Sequence, residues 1–230
     1  MPVQVSAWHF QALQRSAAGP AQALPVPKRM EWTTRRGIGP SAEILGGDLW
    51  RRRVLDLGCG PGHNVAHLAA RRGALATGVD LVGLQVRRAR SHYGRLDRVR
   101  FVAGHALTFL QTTPEQYDAI YSVFGAVGLV APGLLLPAIA QHLKTGRVLA
   151  FSVPHPARGG RRPSPDDRPC PDFVTLPDAA RVPIARWEFD ARRWTVHLAR
   201  AGFKVTSVRE LCGSRDDRWP TTLLVTACKT

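Results

Sequence analysis

The chain has 230 residues, 44% of them hydrophobic, which suits one globular domain, or one domain with an added cap, around a real core. It contains no run of about 18 apolar residues, so no membrane span is expected, and its start, Met1–Phe10, lacks the basic and apolar regions of a secretory signal. Its 32 basic and 17 acidic side chains give a formal charge of +15, which admits a polyanionic partner without requiring one.

In chain order, residues 1–50 mix apolar and polar positions. They read as a helical amino-terminal cap of two or three short helices broken at Pro20, Pro25, Pro27 and Pro40. A regular alternation starts at Arg53. Val54–Leu57 reads as a short buried strand, followed by a glycine turn and a helix with Val65, Leu68 and Ala69 on one face, ending at Gly73. Ala74–Val79 is a second strand that leads into Asp80, and Val82, Val86, Ala89 and Tyr93 line the next helix. Val99–Ala103 and Tyr117–Val123 are strands three and four, separated by a polar turn containing Pro114. Leu134–Leu143 is a helix and Arg147–Val153 a fifth strand.

Residues 154–186 are dense in proline and arginine and read as an irregular excursion. Asp190 then caps a helix carrying Trp194 and Leu198, and Phe203–Leu211 and Thr221–Cys228 form a closing antiparallel hairpin. The expectation is therefore an α/β fold. It has a Rossmann-like, seven-stranded, mostly parallel sheet, helices on both faces and a carboxyl-terminal hairpin.

The chemistry concentrates in Val54-Leu-Asp56-Leu-Gly58-Cys-Gly60-Pro-Gly62-His-Asn64, at the junction of the first strand and helix. Glycines there let the backbone turn sharply and approach a ligand closely. A dinucleotide fingerprint would place its third glycine at position 63, which is His63. The Asp56 carboxylate opposes a pyrophosphate and suits a cationic ligand. Asp80, ending the second strand, can accept from both ribose hydroxyls, or simply cap the helix that follows.

These residues resemble the class I S-adenosylmethionine-dependent methyltransferases over roughly Arg51 to Lys229. Val54–Gly62 corresponds to motif I, Gly78-Val-Asp80 to the ribose acid, Tyr117–Ser122 to motif IV, and Leu143-Lys-Thr-Gly146 to the turn before strand five. The resemblance implies a domain over 51–230 with a lid-like insertion at 154–186. It implies S-adenosylmethionine as cofactor, S-adenosylhomocysteine as product, and cofactor contacts from Asp56, Gly58, Gly60, Asp80, Leu81, Ala106 and Ser122. Trp32 and Arg35, in the amino-terminal segment, are candidates to meet the methionine end. Family members often carry an acid where this chain has His105, which could accept from the adenine amine, stack on the ring, or face solvent. A second departure is Thr145, where a proline is usual.

Ser122-Val-Phe124-Gly125 stands where enzymes acting on nucleobase amines carry an Asn/Asp-Pro-Pro-aromatic tract, which disfavours that class. Phe124 is a candidate wall of the transfer site, or a core aromatic. His155 is the candidate general base, since imidazole titrates near neutrality; the alternative is a loop histidine ordered by its flanking prolines. Arg158, with Arg161 and Arg162, could attract an acidic substrate, although Asp166 and Asp167 offset them.

The scattered cysteines Cys59, Cys170, Cys212 and Cys228 show no metal-ligand spacing; no metal is expected, and a reducing cytoplasm is. Only Lys28, Lys144, Lys204 and Lys229 are lysines, and the arginines are spread along the chain. A GC-rich genome accounts for that pattern more readily than a nucleic-acid footprint does. The expected reaction is methyl transfer to an oxygen or nitrogen of a small-molecule acceptor in specialised metabolism, with RNA or a peptide or protein as the alternative acceptor.

Overall fold

The computed structural model describes residues 7–13, 23–176, 178–213 and 218–230. A short helix over residues 7–13 (α1) precedes the sheet domain. There follow β1 (Arg53–Leu57), α2 (His63–Arg72), β2 (Leu75–Asp80), α3 (Gly83–Tyr93), β3 (Val99–Ala103), α4 (Ala106–Thr112), β4 (Tyr117–Val123), α5 (Pro132–His142) and β5 (Leu143–Pro154). After β5 come β6 (Cys170–Thr175), β7 (Arg181–Arg186), α6 (Ala191–Arg200), β8 (Phe203–Leu211) and β9 (Thr222–Lys229).

The main sheet has the order β3-β2-β1-β4-β5-β9-β8, with β1 to β5 parallel and β9 antiparallel to both β5 and β8. This is the seven-stranded α/β sheet expected from the alternation of elements.

Period-two geometry sends successive side chains of each central strand into two cores. Leu55, Ile120, Leu149, Phe151 and Val225 point into one, under α4, α5 and α6, where Trp194 meets Phe151 edge-on. Val54, Ala119, Tyr121, Ala150 and Leu224 point into the other, under α2, α3 and residues of the amino-terminal segment, including Met30, Trp32 and Leu45. Strands buried on both faces read as continuous apolar runs, and β1 has its last four residues buried.

The local sequence explains the helix ends. Gly62 and Gly73 bound α2 in left-handed conformations, and Asp190 caps α6 by accepting from the amide of Arg193 at 2.8 Å.

Three elements differ from the sequence reading. The turn between strands three and four contains α4. It is capped by His105 and buries Ala106, Phe109 and Leu110 at helical spacing, a face too short to register as a period. The excursion after β5 is not irregular throughout. It carries the β6–β7 hairpin, whose strands each hold a proline (Pro171, Pro183), tolerable because both strands of an isolated pair are edges. In the amino-terminal segment the described residues hold α1 and one 3-10 turn at Ala42–Leu45, with extended chain and turns between, where Pro25, Pro27 and Pro40 oppose helix. Pro20 lies outside the described residues.

Among the described residues no helix is long and apolar enough to cross a membrane.

Candidate active site

Strand order reverses between β1 and β4, so the loops after these strands diverge and leave a crevice at their carboxyl ends. A cavity of about 260 Å³ occupies that position. Gly58, Gly60 and Pro61 of the glycine loop line it, with Asp80, Leu81 and Val82 after β2 and Gln85 of α3. Gly104, His105 and Ala106 close the β3 side. Phe124, Gly125, Ala126, Leu129 and Val130 contribute from the β4 side, and Trp8 and Gln11 come from α1.

The glycine loop is fixed by contacts that no larger residue permits. The amides of Gly58 and Cys59 donate to the Val79 carbonyl at 2.8 and 3.0 Å, pulling the loop onto the end of β2. Gly58 has φ +95°, and a Cβ there would lie 2.5 Å from the Gly125 Cα. Gly60 is also left-handed, at φ +53°, but a Cβ there would meet nothing within 4 Å: it faces open space in the cavity.

Asp80 holds the other side of this cradle. One of its oxygens, Oδ2, accepts from the Gly60 amide at 2.7 Å, and Oδ1 accepts from the Val82 amide at 2.9 Å. Burial raises its pKa, while the amides of Val82 and Gly60 lower it. Asp80 thus braces the glycine loop and the turn into α3, whose N-cap is Val82, and each of its oxygens keeps a second lone pair.

Asp56 does not line the cavity. It is buried beneath the loop, its Oδ1 has no hydrogen-bond partner, and the Tyr121 hydroxyl is likewise without one. Burial pushes the Asp56 carboxyl up to about 8; the Tyr121 hydroxyl beside it acts in the opposite direction, and the charge of Asp80 adds to the rise.

The structure brings Gly58, Gly60, Asp80, Leu81, His105, Ala106 and Phe124 to one cavity. His105 Nδ1 accepts from the Leu107 amide at 3.3 Å, so the proton of its neutral ring sits on Nε2. That tautomer donates through Nε2 and cannot accept there from an amine, unlike the first of the sequence expectations. Phe124 has φ +48°, a strained conformation for a non-glycine residue, and its amide is tied to the Ser152 carbonyl at 2.9 Å.

Besides Asp56, five expected contacts lie elsewhere. Ser122 is fully buried, and its hydroxyl donates to the Leu57 carbonyl at 2.7 Å, tying β4 to β1 behind the cavity. Trp32 is fully buried, edge-on to Tyr121 with centroids 6.0 Å apart, and its indole donates to the Ser41 carbonyl. Arg35 reaches away to the Gly213 carbonyl at 3.3 Å.

His155 is buried outside the cavity. Its Nδ1 accepts from the Ala157 amide at 3.1 Å and its Nε2 lies 3.4 Å from Glu210 Oε1, so the lone pair a base needs is already engaged. Arg158 pairs with Asp172 at 3.1 Å and with buried Glu188, and donates to the His155 carbonyl. Arg161 bonds the same two acids at 3.1 and 3.2 Å. These two arginines bind the hairpin to the domain, which overturns the expectation of Arg158 as a free substrate cation.

Trp8, Gln11, Leu129 and Val130 were missed. The spacing of Trp8 and Gln11, three apart on a helix, places them on one face, but nothing local says what that face covers.

A parallel sheet with a glycine loop and a strand-ending acid at its switch point defines a nucleoside-cofactor-binding α/β protein. Residues 54–146 match the family model of a methyltransferase domain. The chain is 30% identical over 190 residues to the O-methyltransferase cnsE of Penicillium expansum, an alignment covering 74% of this chain and 63% of that one. It is 33% identical over 119 residues to the trans-aconitate 2-methyltransferase of Delftia acidovorans, covering 50% and 43%. The chain thus spans between 43% and 63% of the length of these two relatives. The solved structure of an S-adenosylmethionine dependent methyltransferase from Mesorhizobium loti superposes with a TM-score of 0.57 at 21% identity, over 79% of this chain and 93% of the other. Residues 54–146 are thus a methyltransferase domain, and the sheet has the fold of the S-adenosylmethionine-dependent methyltransferases.

Proposed function

We propose that this chain transfers the methyl group of S-adenosylmethionine to an oxygen or nitrogen of a small-molecule acceptor. The observation that carries this reading is that Asp80, the open side of Gly60 and Phe124 face one cavity at the switch point of a methyltransferase-family sheet.

The residues present fit the cofactor. The space a Cβ would take at Gly60 lets a ligand approach the backbone. Asp80 retains lone pairs for two ribose hydroxyls, and Leu81 offers an apolar side chain beside it for the purine. The partnerless Oδ1 of Asp56 belongs to a carboxyl held in its protonated form by burial under the loop, and a cationic ligand would lower its pKa toward the charged form. His105 supports the purine edge by donating from Nε2 to a ring nitrogen.

When bound, the cofactor would supply an electrophilic methyl group on positively charged sulfur for an acceptor lone pair. The chain's part is positioning. Phe124, held by its strained backbone, walls the transfer point, and α1 covers it from water. The acceptor's proton leaves to solvent, because His155 is engaged elsewhere.

Residues 1–50 then serve as a cap, of which α1 closes the cavity, and residues 154–186 as a lid. Ala7 clusters with Val174 and Ile184, and Trp8 packs against that cluster, so cap and hairpin support one another. The four free cysteines support a cytoplasmic location.

Calorimetric titration with S-adenosylhomocysteine is the test. Binding of one equivalent, lost in Asp80→Ala, is expected; absence of binding to the parent protein overturns the reading.

A further inference from the structure

The protein carries a formal charge of +15, yet among the described residues no lysine or arginine lines the cavity. The arginines nearest in the chain to the acceptor side are occupied. Arg158, Arg161 and Arg186 are shared among Asp172 and Glu188, and Arg193 bonds the carbonyls of Ser164 and Pro165.

The two halves of the cavity can be told apart. Asp80, Leu81 and His105 lie at the ends of β2 and β3, the half that fits the nucleoside. Trp8 and Leu129, the latter in the loop after β4, both pack against the cluster of Ala7 with Val174 and Ile184 of the hairpin after β5. The acceptor half is therefore Trp8, Gln11, Phe124, Leu129 and Val130. It holds two aromatic side chains, two aliphatic ones and one amide. Among the described residues the Gln11 amide makes no hydrogen bond, so it is free to meet a ligand.

We infer that the acceptor is a compact, uncharged, planar molecule that stacks on Trp8 and Phe124 and sets its polar edge against Gln11; this rests on the proposed methyl transfer. Aromatic walls favour flat ligands. A carboxylate placed here would lose water with no lysine or arginine among the lining residues to receive it, in a cavity that already holds the Asp80 charge. The chain would thus differ in acceptor from relatives named for trans-aconitate, a polycarboxylate, although it shares their fold.

The test uses the protein saturated with sinefungin, an unreactive cofactor analogue that retains a positive charge. Its binding is first confirmed by calorimetry, so that failure of the cofactor reading shows separately. Ligand-detected NMR then compares uncharged hydroxy-aromatic compounds of one and two rings with the same scaffolds bearing a carboxylate, and with trans-aconitate.

The uncharged members should bind at least about tenfold more tightly than their carboxylated counterparts. Trp8→Ala should weaken them about tenfold with sinefungin affinity kept. Gln11→Arg, which leaves the helix intact, should shift the preference toward carboxylates. Equal or tighter binding of the carboxylates by the parent protein overturns the inference. So does failure of every uncharged planar compound to bind while sinefungin binds normally.

Discussion

The carboxylate of Asp80 accepts a hydrogen bond from the amide of Gly60 at 2.7 Å, joining the end of β2 to the middle of the glycine loop across 20 residues of sequence. A single acid thereby shapes the loop and presents its remaining lone pairs to the cavity. Asp80→Asn, which keeps the shape and removes the charge, should weaken S-adenosylhomocysteine about 10- to 100-fold, since hydrogen bonds to a charged group contribute about 1.5–3 kcal/mol. Calorimetry measures this, and affinity within twofold of the parent would remove Asp80 from the ribose site.

Two glycines of the same loop should fail differently. Gly58→Ala drives a Cβ to 2.5 Å from the Gly125 Cα in a left-handed backbone, and should cost at least about 2 kcal/mol of stability by denaturant unfolding. Gly60→Ala meets no protein atom, so its cost should be only about 1 kcal/mol from the left-handed φ. Its methyl group would instead occupy ligand space and reduce cofactor affinity. If Gly60→Ala bound cofactor normally, the ligand would not approach the loop there.

Asp56 makes stability depend on pH in a direction opposite to that of a salt-bridged acid. Its folded pKa of about 8 lies above the ordinary 3.8, so the folded state holds the proton more tightly than the unfolded one. Its contribution is fully present below about 3.8 and is lost as pH rises toward 8. Each unit of separation corresponds to about 1.4 kcal/mol. Asp56→Asn removes the titration, so without cofactor the variant should gain stability relative to the parent as pH rises from 5 to 8, by about 1 kcal/mol or more. Parallel unfolding curves at the two pH values would contradict the burial argument.

His155 should prove structural. Its ring receives the Ala157 amide and faces Glu210, and its backbone joins Thr221 at 2.9 Å. His155→Ala should lower stability by about 1–3 kcal/mol through the freed buried groups. The turnover number with the true acceptor should stay within about threefold of the parent, because no proton passes through this ring. A hundredfold fall in kcat with unchanged melting temperature would restore it as a base.

The parts of the site legible in sequence are those made by neighbours in the chain. Gly58 and Gly60 stand at a strand–helix junction that their own torsion angles require, and Asp80 ends a strand whose apolar run marks its place in the sheet. Helix α4 escaped because seven residues give too little periodicity, and the β6–β7 hairpin escaped because its prolines imitate a loop. His105 lines the cavity, but the direction of its hydrogen bond depends on the amide of Leu107, which is placed as its donor only once α4 forms.

The sequence by itself determined the seven strands of the main sheet, the glycine loop, its acid and hence the cofactor-binding class, because hydrophobic period and backbone torsion are set within a few residues. Only the tertiary structure decided which charged and aromatic side chains face the cavity. Arg158 is consumed by acids 14 and 30 residues away and His155 by Glu210, while Trp8 is carried to the cavity from the far end of the chain. A side chain's availability depends on which partners the folded chain delivers to it, and no local pattern contains that information.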